Sequence, residues 1–139
     1  MNKKEAIVSI VALSFLVIGI VSNIYVYSHQ IEKGDFITIG NKKLYINDIF
    51  EKCNIKSIEV VKKGIKENYS GAILSDIINV SGIKNPEIHK YTIVGSDGYQ
   101  KTVEWNDMEK GILTKNKRVI FSHLPGAFWV RDVVKIEVI

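Results

Sequence analysis

The feature that most constrains this chain is an uncharged, apolar stretch of 22 residues, Ala6 to Tyr27. At about 1.5 Å per residue, a helix of that length spans roughly 30 Å, the thickness of a bilayer's hydrocarbon core. Its few polar residues do not line up on one helical face, as a buried helix of a soluble protein would require. We therefore predict an uncleaved transmembrane anchor over residues 6–28, between a cytoplasmic N-terminus (1–5) and a linker (29–34).

The flanks of this stretch predict its orientation. Lys3 and Lys4 precede it, and lysines before a hydrophobic run favour a cytoplasmic N-terminus. Its end offers no small-x-small cleavage site for a signal peptidase, and no cysteine for lipoprotein processing directly follows it. We therefore predict a single-pass protein of the cell membrane with its C-terminal domain outside the cytoplasm. Its expected partners are the membrane and a membrane-protein or redox partner.

Composition bounds what the remaining residues, 35–139, can be. They are numerous enough for one compact core. The whole chain carries a net charge of +4, and Arg118 and Arg131 are its only arginines. Nucleic-acid-binding surfaces carry a denser basic face rich in arginine, so we expect no nucleic-acid partner. The single cysteine, Cys53, excludes an intrachain disulfide. We predict that Cys53 is a small core residue, and the alternative is a reactive or metal-ligating thiol.

The stretch YTIVGSDGYQKTVEW, Tyr91 to Trp105, organises the predicted domain. Two alternating runs flank Ser96-Asp97-Gly98, which predicts a strand, a tight turn and a second strand. The other predicted elements are, in chain order, a hairpin around Gly40-Asn41 (35–46), a helix capped by Asn47-Asp48 (49–53), a strand (56–63), a polar loop (64–70), a helix with an apolar stripe (73–80) stopped by Gly82 and Pro86, a one-turn helix capped by Asn106-Asp107 (106–110), an extended piece (111–114), and strands over 117–122 and 133–139.

Strands outnumber helices in this pattern, and no regular βαβ rhythm appears. The pattern therefore predicts an α+β domain with a mixed, mainly antiparallel sheet curled around one core. In the last strand we expect Val134, Ile136 and Val138 to face that core.

Two loops are the best places for a site, because binding sites need polar groups that converge at loop ends. In the first loop (96–99), Asp97 either bonds the backbone N–H groups of its own turn or acts as a ligand or base. In the second (122–129), His123 is an acid, base or metal ligand, or else a surface residue. Trp129 is a packing anchor or the aromatic wall of a site. The other histidines have no ligand spacing to His123, so a zinc site is not predicted.

Arg131 follows the second loop. Its guanidinium either holds a phosphate or carboxylate in a bidentate fork or pairs with Asp132 or Glu137. Asp76, on the predicted helix, looks like a catalytic carboxylate but is interpreted as part of a solvated helix face.

Four motifs between Tyr69 and Val138 occur in one order, YSGAILSDIINVSGI, YTIVGSDGYQKTV, GILTKNKRVIFS and GAFWVRDVVKIEV. Together they resemble the oxidoreductase molybdopterin-binding domain, the fold of the sulfite oxidase family. The resemblance implies a molybdenum–pterin cofactor, with a cysteine thiolate on the metal and Lys or Arg on the pterin phosphate. Under this resemblance the candidate cofactor-binding residues are Asp97, Tyr99, His123 and Arg131.

This chain departs from the family at the cofactor-binding positions. The family carries its cysteine in the strand just before the aromatic-x-Gly helix, whereas Ser57 to Asn68 contains none and Cys53 lies upstream. Phe128 occupies the first basic position of the phosphate stretch, and Arg131 alone matches the second. We therefore predict a reduced member of the fold that acts as a non-catalytic binding or interaction module, with its cofactor unknown.

Two other functions are considered beside this one. The first is a molybdopterin-dependent oxidoreductase or redox-partner subunit, which requires Cys53, His123 and Arg131 to meet in one pocket. The second is a small-molecule or metal-delivery protein, for which no specific residue stands out. No catalytic residue is predicted, and Cys53 is the one remote candidate for a metal ligand.

Overall fold

The computed structural model of the protein describes residues 3–17 and 34–139. Residue contacts divide the chain into two units, Met1–Gly34 and Asp35–Ile139. In the first unit, residues 3–17 form helix α1, whose apolar side chains are largely exposed.

The prediction of a transmembrane helix over residues 6–28 is wrong. Residues 18–28 of the predicted span lie outside the described residues. Within the described residues, no helix combines the length and the apolarity needed to cross a membrane. The predicted single-pass location in the cell membrane, which depended on that helix, is corrected with it.

The second unit is an α+β domain of two sheets and short helices. Its elements are β1 (Phe36–Ile39), β2 (Lys42–Tyr45), α2 (Ile46–Lys52), β3 (Ile55–Lys62), β4 (Ile65–Ile73), α3 (Leu74–Ser81), β5 (Lys90–Gly95), β6 (Gln100–Glu104), α4 (Trp105–Met108), β7 (Ile112–Leu113), β8 (Val119–Ile120) and β9 (Val133–Val138), with 3₁₀ turns at Pro86–Ile88 and Gly126–Phe128. One curled sheet was expected, whereas the strands divide into a five-stranded and a four-stranded sheet.

The five-stranded sheet has the order β2-β1-β9-β5-β6. Its pairs are antiparallel except β1 with β9, which run parallel. The predicted hairpin at Gly40-Asn41 is present, and Gly40 adopts the positive φ of +58° that the tight turn needs. The side chains that β1 buries are Ile37 and Ile39, while Phe36 is exposed.

The four-stranded sheet has the order β3-β4-β7-β8 and is antiparallel throughout. Its strand β4 replaces the polar loop predicted over residues 64–70. Lys63 and Gly64 both adopt positive φ, 52° and 79°, as the two central residues of a type I′ hairpin turn do. Residues 65–68 are polar or exposed on both faces, so the alternation that identifies a half-buried strand is absent from them.

The main core lies between the five-stranded sheet and the helices. Its fully buried side chains include Ile37, Ile39, Ile49, Leu74, Ile77, Ile78, Tyr91, Ile93, Met108, Phe121, Val130, Val133 and Ile136. Helix α3 ends at Gly82, as predicted, with the left-handed φ of +81° that glycine adopts at low cost. Asp76 on α3 accepts a hydrogen bond from the backbone N–H of Asn54 at 3.0 Å, so it fixes the α2–β3 connection.

Three predicted details differ in the structure. Helix α2 begins at Ile46, with no side-chain cap from Asn47 or Asp48. Helix α4 is capped by Glu104, whose side chain accepts from the backbone N–H of Asp107, in a capping box. In β9 a register shift opposite Val94 and Gly95 buries Val133 and Ile136 and leaves Val134 exposed.

We predict that Gly71→Ala lowers the free energy of unfolding by about 2–3 kcal/mol, because overpacking a rigid backbone contact has costs of this order. A Cβ at Gly71 would clash with the carbonyl oxygen of Leu113 and lie 2.6 Å from its carbonyl carbon. Urea denaturation of the full chain measures the change. The matched control is Gly126→Ala, whose Cβ meets nothing within 4 Å. Equal stability of the two variants would contradict the packing of β4 against β7.

Candidate functional site

The loop 96–99 is a locally bonded turn at the end of β5. The backbone N–H of Gly95 donates to the carbonyl oxygen of Tyr99 at 2.8 Å. The Asp97 side chain accepts a hydrogen bond from the Tyr99 backbone N–H at 3.0 Å. The carboxylate of Asp97 therefore stabilises its own turn, which is the simpler of the two interpretations of the sequence.

Tyr99 connects this turn to the second loop. Its hydroxyl donates a hydrogen bond to the carbonyl oxygen of Ala127. The Nζ of Lys101 lies 5.6 Å from the Tyr99 ring centroid and 5.4 Å from that of Phe128. The structure thus brings residues 96–99 and 126–128 together, with a lysine between two aromatic rings.

His123 faces helix α4. Its Nε2 lies 2.8 Å from Asp107 Oδ1, and its ring packs edge-on against Phe121. The other oxygen of the Asp107 carboxylate accepts from the Glu104 backbone N–H at 3.1 Å. His123 therefore joins the second loop to the capping box of α4.

Arg131 stands apart from these contacts. Its side chain is exposed and, within the described residues, forms no hydrogen bond or ion pair. Both expected partners bond elsewhere. Glu137 pairs with Lys135 at 2.8 Å, and Asp132 accepts from the Ser96 hydroxyl at 3.4 Å.

A groove of about 510 Å³ lies between β3 and the second loop. Volumes of this size are typical of small-molecule sites. Its lining residues are Glu59, Val60, Val61, Lys62, Ser122, Leu124, Pro125, Gly126 and Trp129, and we call it the Trp129 groove. None of Asp97, Tyr99, His123 and Arg131 lines it.

Trp129 is held in a cluster of cations and aromatic rings that the sequence did not predict. Its Nε1 donates to the carbonyl oxygen of Phe121 at 2.9 Å, and its ring meets that of Tyr69 edge-on at 5.7 Å. The Nζ of Lys62 lies 5.5 Å from the Trp129 ring centroid, and the Arg118 guanidinium carbon lies 5.4 Å from it. The indole is thus an anchor and a groove wall at once, with two cations beside it.

Arg118 is the least satisfied member of this cluster. Its Nε is buried and has no hydrogen-bond partner in the described part of the chain. Its guanidinium carbon also lies 5.6 Å from the Tyr69 ring centroid. A hydrogen bond donated to Glu67 and, to a smaller extent, burial raise the pKa of Tyr69 above its usual value.

A second groove, of about 630 Å³, lies beside the middle of β4. Its lining residues are Phe50, Ile55, Asn68, Tyr69, Ser70, Thr114, Lys115 and Asn116. Lys115 is the one charged residue among these lining residues. We place the candidate site in the Trp129 groove, because there the predicted loop 122–129 meets two cations and β3.

Cys53 is a core residue and does not line the Trp129 groove. It follows α2, is 8% exposed and packs in the main core. Burial and, to a smaller extent, the carboxylate of Asp76 raise the pKa of its thiol to about 11. At neutral pH the side chain is therefore a protonated thiol, which is neither a good nucleophile nor a metal ligand.

The Trp129 groove does not fit a molybdenum–pterin cofactor. Strand β3 lines it with Glu59, Val60, Val61 and Lys62, and none of these residues carries a thiol that could bind a metal. Arg131, the one residue that matches a phosphate-binding position, does not line it.

Comparison with known proteins adds no family to this geometry. No model of a known protein family matches the chain, and no curated protein matches it at a significant level. Within residues 3–17 and 34–139, no three His, Cys, Asp or Glu side chains are grouped so that they would hold a metal ion. Any functional conclusion therefore rests on the geometry and chemistry of the groove itself.

We predict that iodoacetamide alkylates Cys53 about 100-fold more slowly at pH 8 in the folded chain than in urea. A rise of the thiol pKa from 9.0 to about 11 lowers the thiolate fraction by that factor. The folded chain reacts more slowly because its Cys53 thiol has the higher pKa and therefore the smaller thiolate fraction. The difference persists below pH 9 and shrinks as the pH approaches 11. Mass spectrometry of quenched samples measures the rates, and equal rates at pH 8 would contradict a buried thiol.

Proposed function

We propose that this domain is a non-catalytic binding module whose ligand site is the Trp129 groove. The observation that carries the proposal is a cation-flanked indole in a groove that lacks a thiol. The groove residues are apolar, hydroxyl-bearing or charged, and none of them is a cysteine or histidine. Such a surface can hold and orient a ligand, and among its described lining residues the Ser122 hydroxyl is not hydrogen-bonded to a base, as an activated nucleophile requires.

The charges around the groove favour an anionic ligand. Glu59 pairs with Lys66, with 3.6 Å between the charged atoms. Among the described residues no carboxylate pairs with Lys62 or Arg118. An anionic group in the groove would be held by a charge-assisted hydrogen bond to Lys62, the lysine that lines it. The Trp129 ring and Val60 would contact a flat, apolar body next to that group.

We also propose that the fold is that of the molybdopterin-binding domain, reduced and without its cofactor chemistry. The ordered motifs between Tyr69 and Val138 support this proposal. The position of the groove supports it too, since β3 directly precedes the strand and helix that carry the Tyr69-x-Gly71 motif.

We predict that phenyl phosphate binds in the Trp129 groove and that phenol, its neutral counterpart, binds at least several-fold more weakly. Protein-observed NMR of the full chain provides the measurement, through the Trp129 indole N–H and the Lys62 amide. Lys62→Ala is expected to weaken phenyl phosphate binding about two- to fivefold, as for one exposed charge contact.

Lys84→Ala is the matched control, because Lys84 is an exposed lysine that does not line the groove. It should leave the affinity for phenyl phosphate unchanged. If Lys62→Ala and Lys84→Ala weaken phenyl phosphate binding equally, the affinity depends only on the net charge of the protein and not on a contact with Lys62. Shifts of the same size with phenol would exclude an anion site. Either result would overturn the proposed ligand class.

A further inference from the structure

Strand β3 presents the longest open edge of the two sheets. It is eight residues long, ends the order of its sheet and, within residues 3–17 and 34–139, pairs with β4 alone. The edge strands β2 and β6 are shorter, at four and five residues. The remaining edge, β8, is covered by a bridge between Val119 and Val130. Open edges of this length pair readily with another strand.

The hairpin turn determines which backbone groups face outward. In a two-residue hairpin the flanking pair, here Lys62 with Ile65, is hydrogen-bonded across the strands. Every second residue of β3 then bonds to β4, in agreement with the Ile73 N–H donating to the Asn54 carbonyl at 3.1 Å. The residues between them direct their N–H and C=O groups to the open edge. These are Ile55, Ser57, Glu59 and Val61.

Two of these outward-bonding residues also expose large apolar side chains. Ile55 is 50% exposed and Val61 is 62% exposed. Since side chains of a strand alternate between faces, both lie on the same face of β3. An open edge that combines free hydrogen-bonding groups with exposed apolar side chains has the properties of a strand interface.

We propose that β3 pairs antiparallel with β3 of a second copy of this chain, about a two-fold axis at Ile58. In this register Ile55 of each copy lies opposite Val61 of the other, and Ser57 lies opposite Glu59. Because of the two-fold symmetry, the dimer contains two equivalent contacts between Ile55 of one copy and Val61 of the other, and these contacts bury both side chains. It also satisfies the outward backbone groups of residues 55–61.

Charge and apolar pairing select this register over its neighbours. An axis at Glu59 would place Glu59 opposite itself and Lys56 opposite Lys62, and like charges directly opposite are destabilising. An axis at Val60 would leave Ile55 without an apolar partner within β3. An axis at Ser57 would leave Val61 without one. Ile58 is the position that covers both apolar residues and opposes no like charges.

The pairing has a consequence for the Trp129 groove. Lys56 of the second copy would lie opposite Val60, which lines the groove, and would add a cation to its edge. This consequence depends on the proposed function, whereas the pairing itself does not. If the dimer forms but the groove binds no anion, the role of Lys56 at the groove is disproved and the β3–β3 pairing is not.

The register is tested by cysteine cross-linking of the full chain under mild oxidation. In the variant Lys56→Cys/Val60→Cys, the two cysteines face each other across copies in a non-hydrogen-bonded pair. Their Cα separation of about 4.5 Å suits a disulfide. Along one strand the same residues are about 13 Å apart, so they cannot bond within a copy. We expect a disulfide-linked dimer. Lys56→Cys/Lys62→Cys is the register control and should remain largely monomeric on a non-reducing gel, as should the unsubstituted chain with Cys53 alone.

Analytical ultracentrifugation supplies an independent test. Val61→Lys should raise the dimer dissociation constant about tenfold, because the two-fold axis removes the Ile55–Val61 contact twice. Val134→Lys, at an exposed valine on a strand paired on both sides, should leave the constant unchanged. An unaltered far-UV circular dichroism spectrum for Val61→Lys confirms that the variant folds. A chain that sediments as a monomer throughout, a dimer that Val61→Lys does not weaken, or more cross-linking in the register control would each overturn the proposal.

Discussion

The insertion of β9 between β1 and β5 is the constraint on which the rest of the domain depends. Without it, the N-terminal hairpin and the β5–β6 hairpin would share no backbone hydrogen bonds. Its residues Val133 and Ile136 are fully buried in the main core. The register shift at its start holds the Ser96 N–H against the Asp132 carbonyl at 2.9 Å. The chain just before β9 is thereby fixed, and Trp129 is positioned against β3 and β4.

Local sequence signals predicted the elements with a buried face. The Gly40 turn, the Gly82 helix end and the strands around Ser96–Gly98 follow from glycine conformation and from alternation. The first half of β4 was missed because a ribbon exposed on both sides has no hydrophobic period, and its register comes from the Lys63-Gly64 turn. In β9, Ile136 and Val138 pack in or against the core as predicted, but Val134 was misassigned because a register shift between strands has no local signature in the sequence.

The site was predictable only in part, because its members are distant in the sequence. The loop 122–129 was identified, and its Trp129 lines the groove. Arg118 and Lys62 meet Trp129 through the pairing of β3 with β4 and the return of the chain after β8. No local sequence pattern predicts that Lys62 and Arg118 contact Trp129. The expectation of a core cysteine holds, since Cys53 is buried in the main core.

We propose that the Trp129 groove holds its ligand without a molybdenum–pterin centre. The most direct test is molybdenum and pterin analysis of the full chain, purified from a host that makes the cofactor, beside Cys53→Ala. The account predicts no molybdenum or pterin above the level found after purification from a host unable to make the cofactor, for both proteins. Stoichiometric molybdenum that disappears in Cys53→Ala would contradict it and make the chain an oxidoreductase.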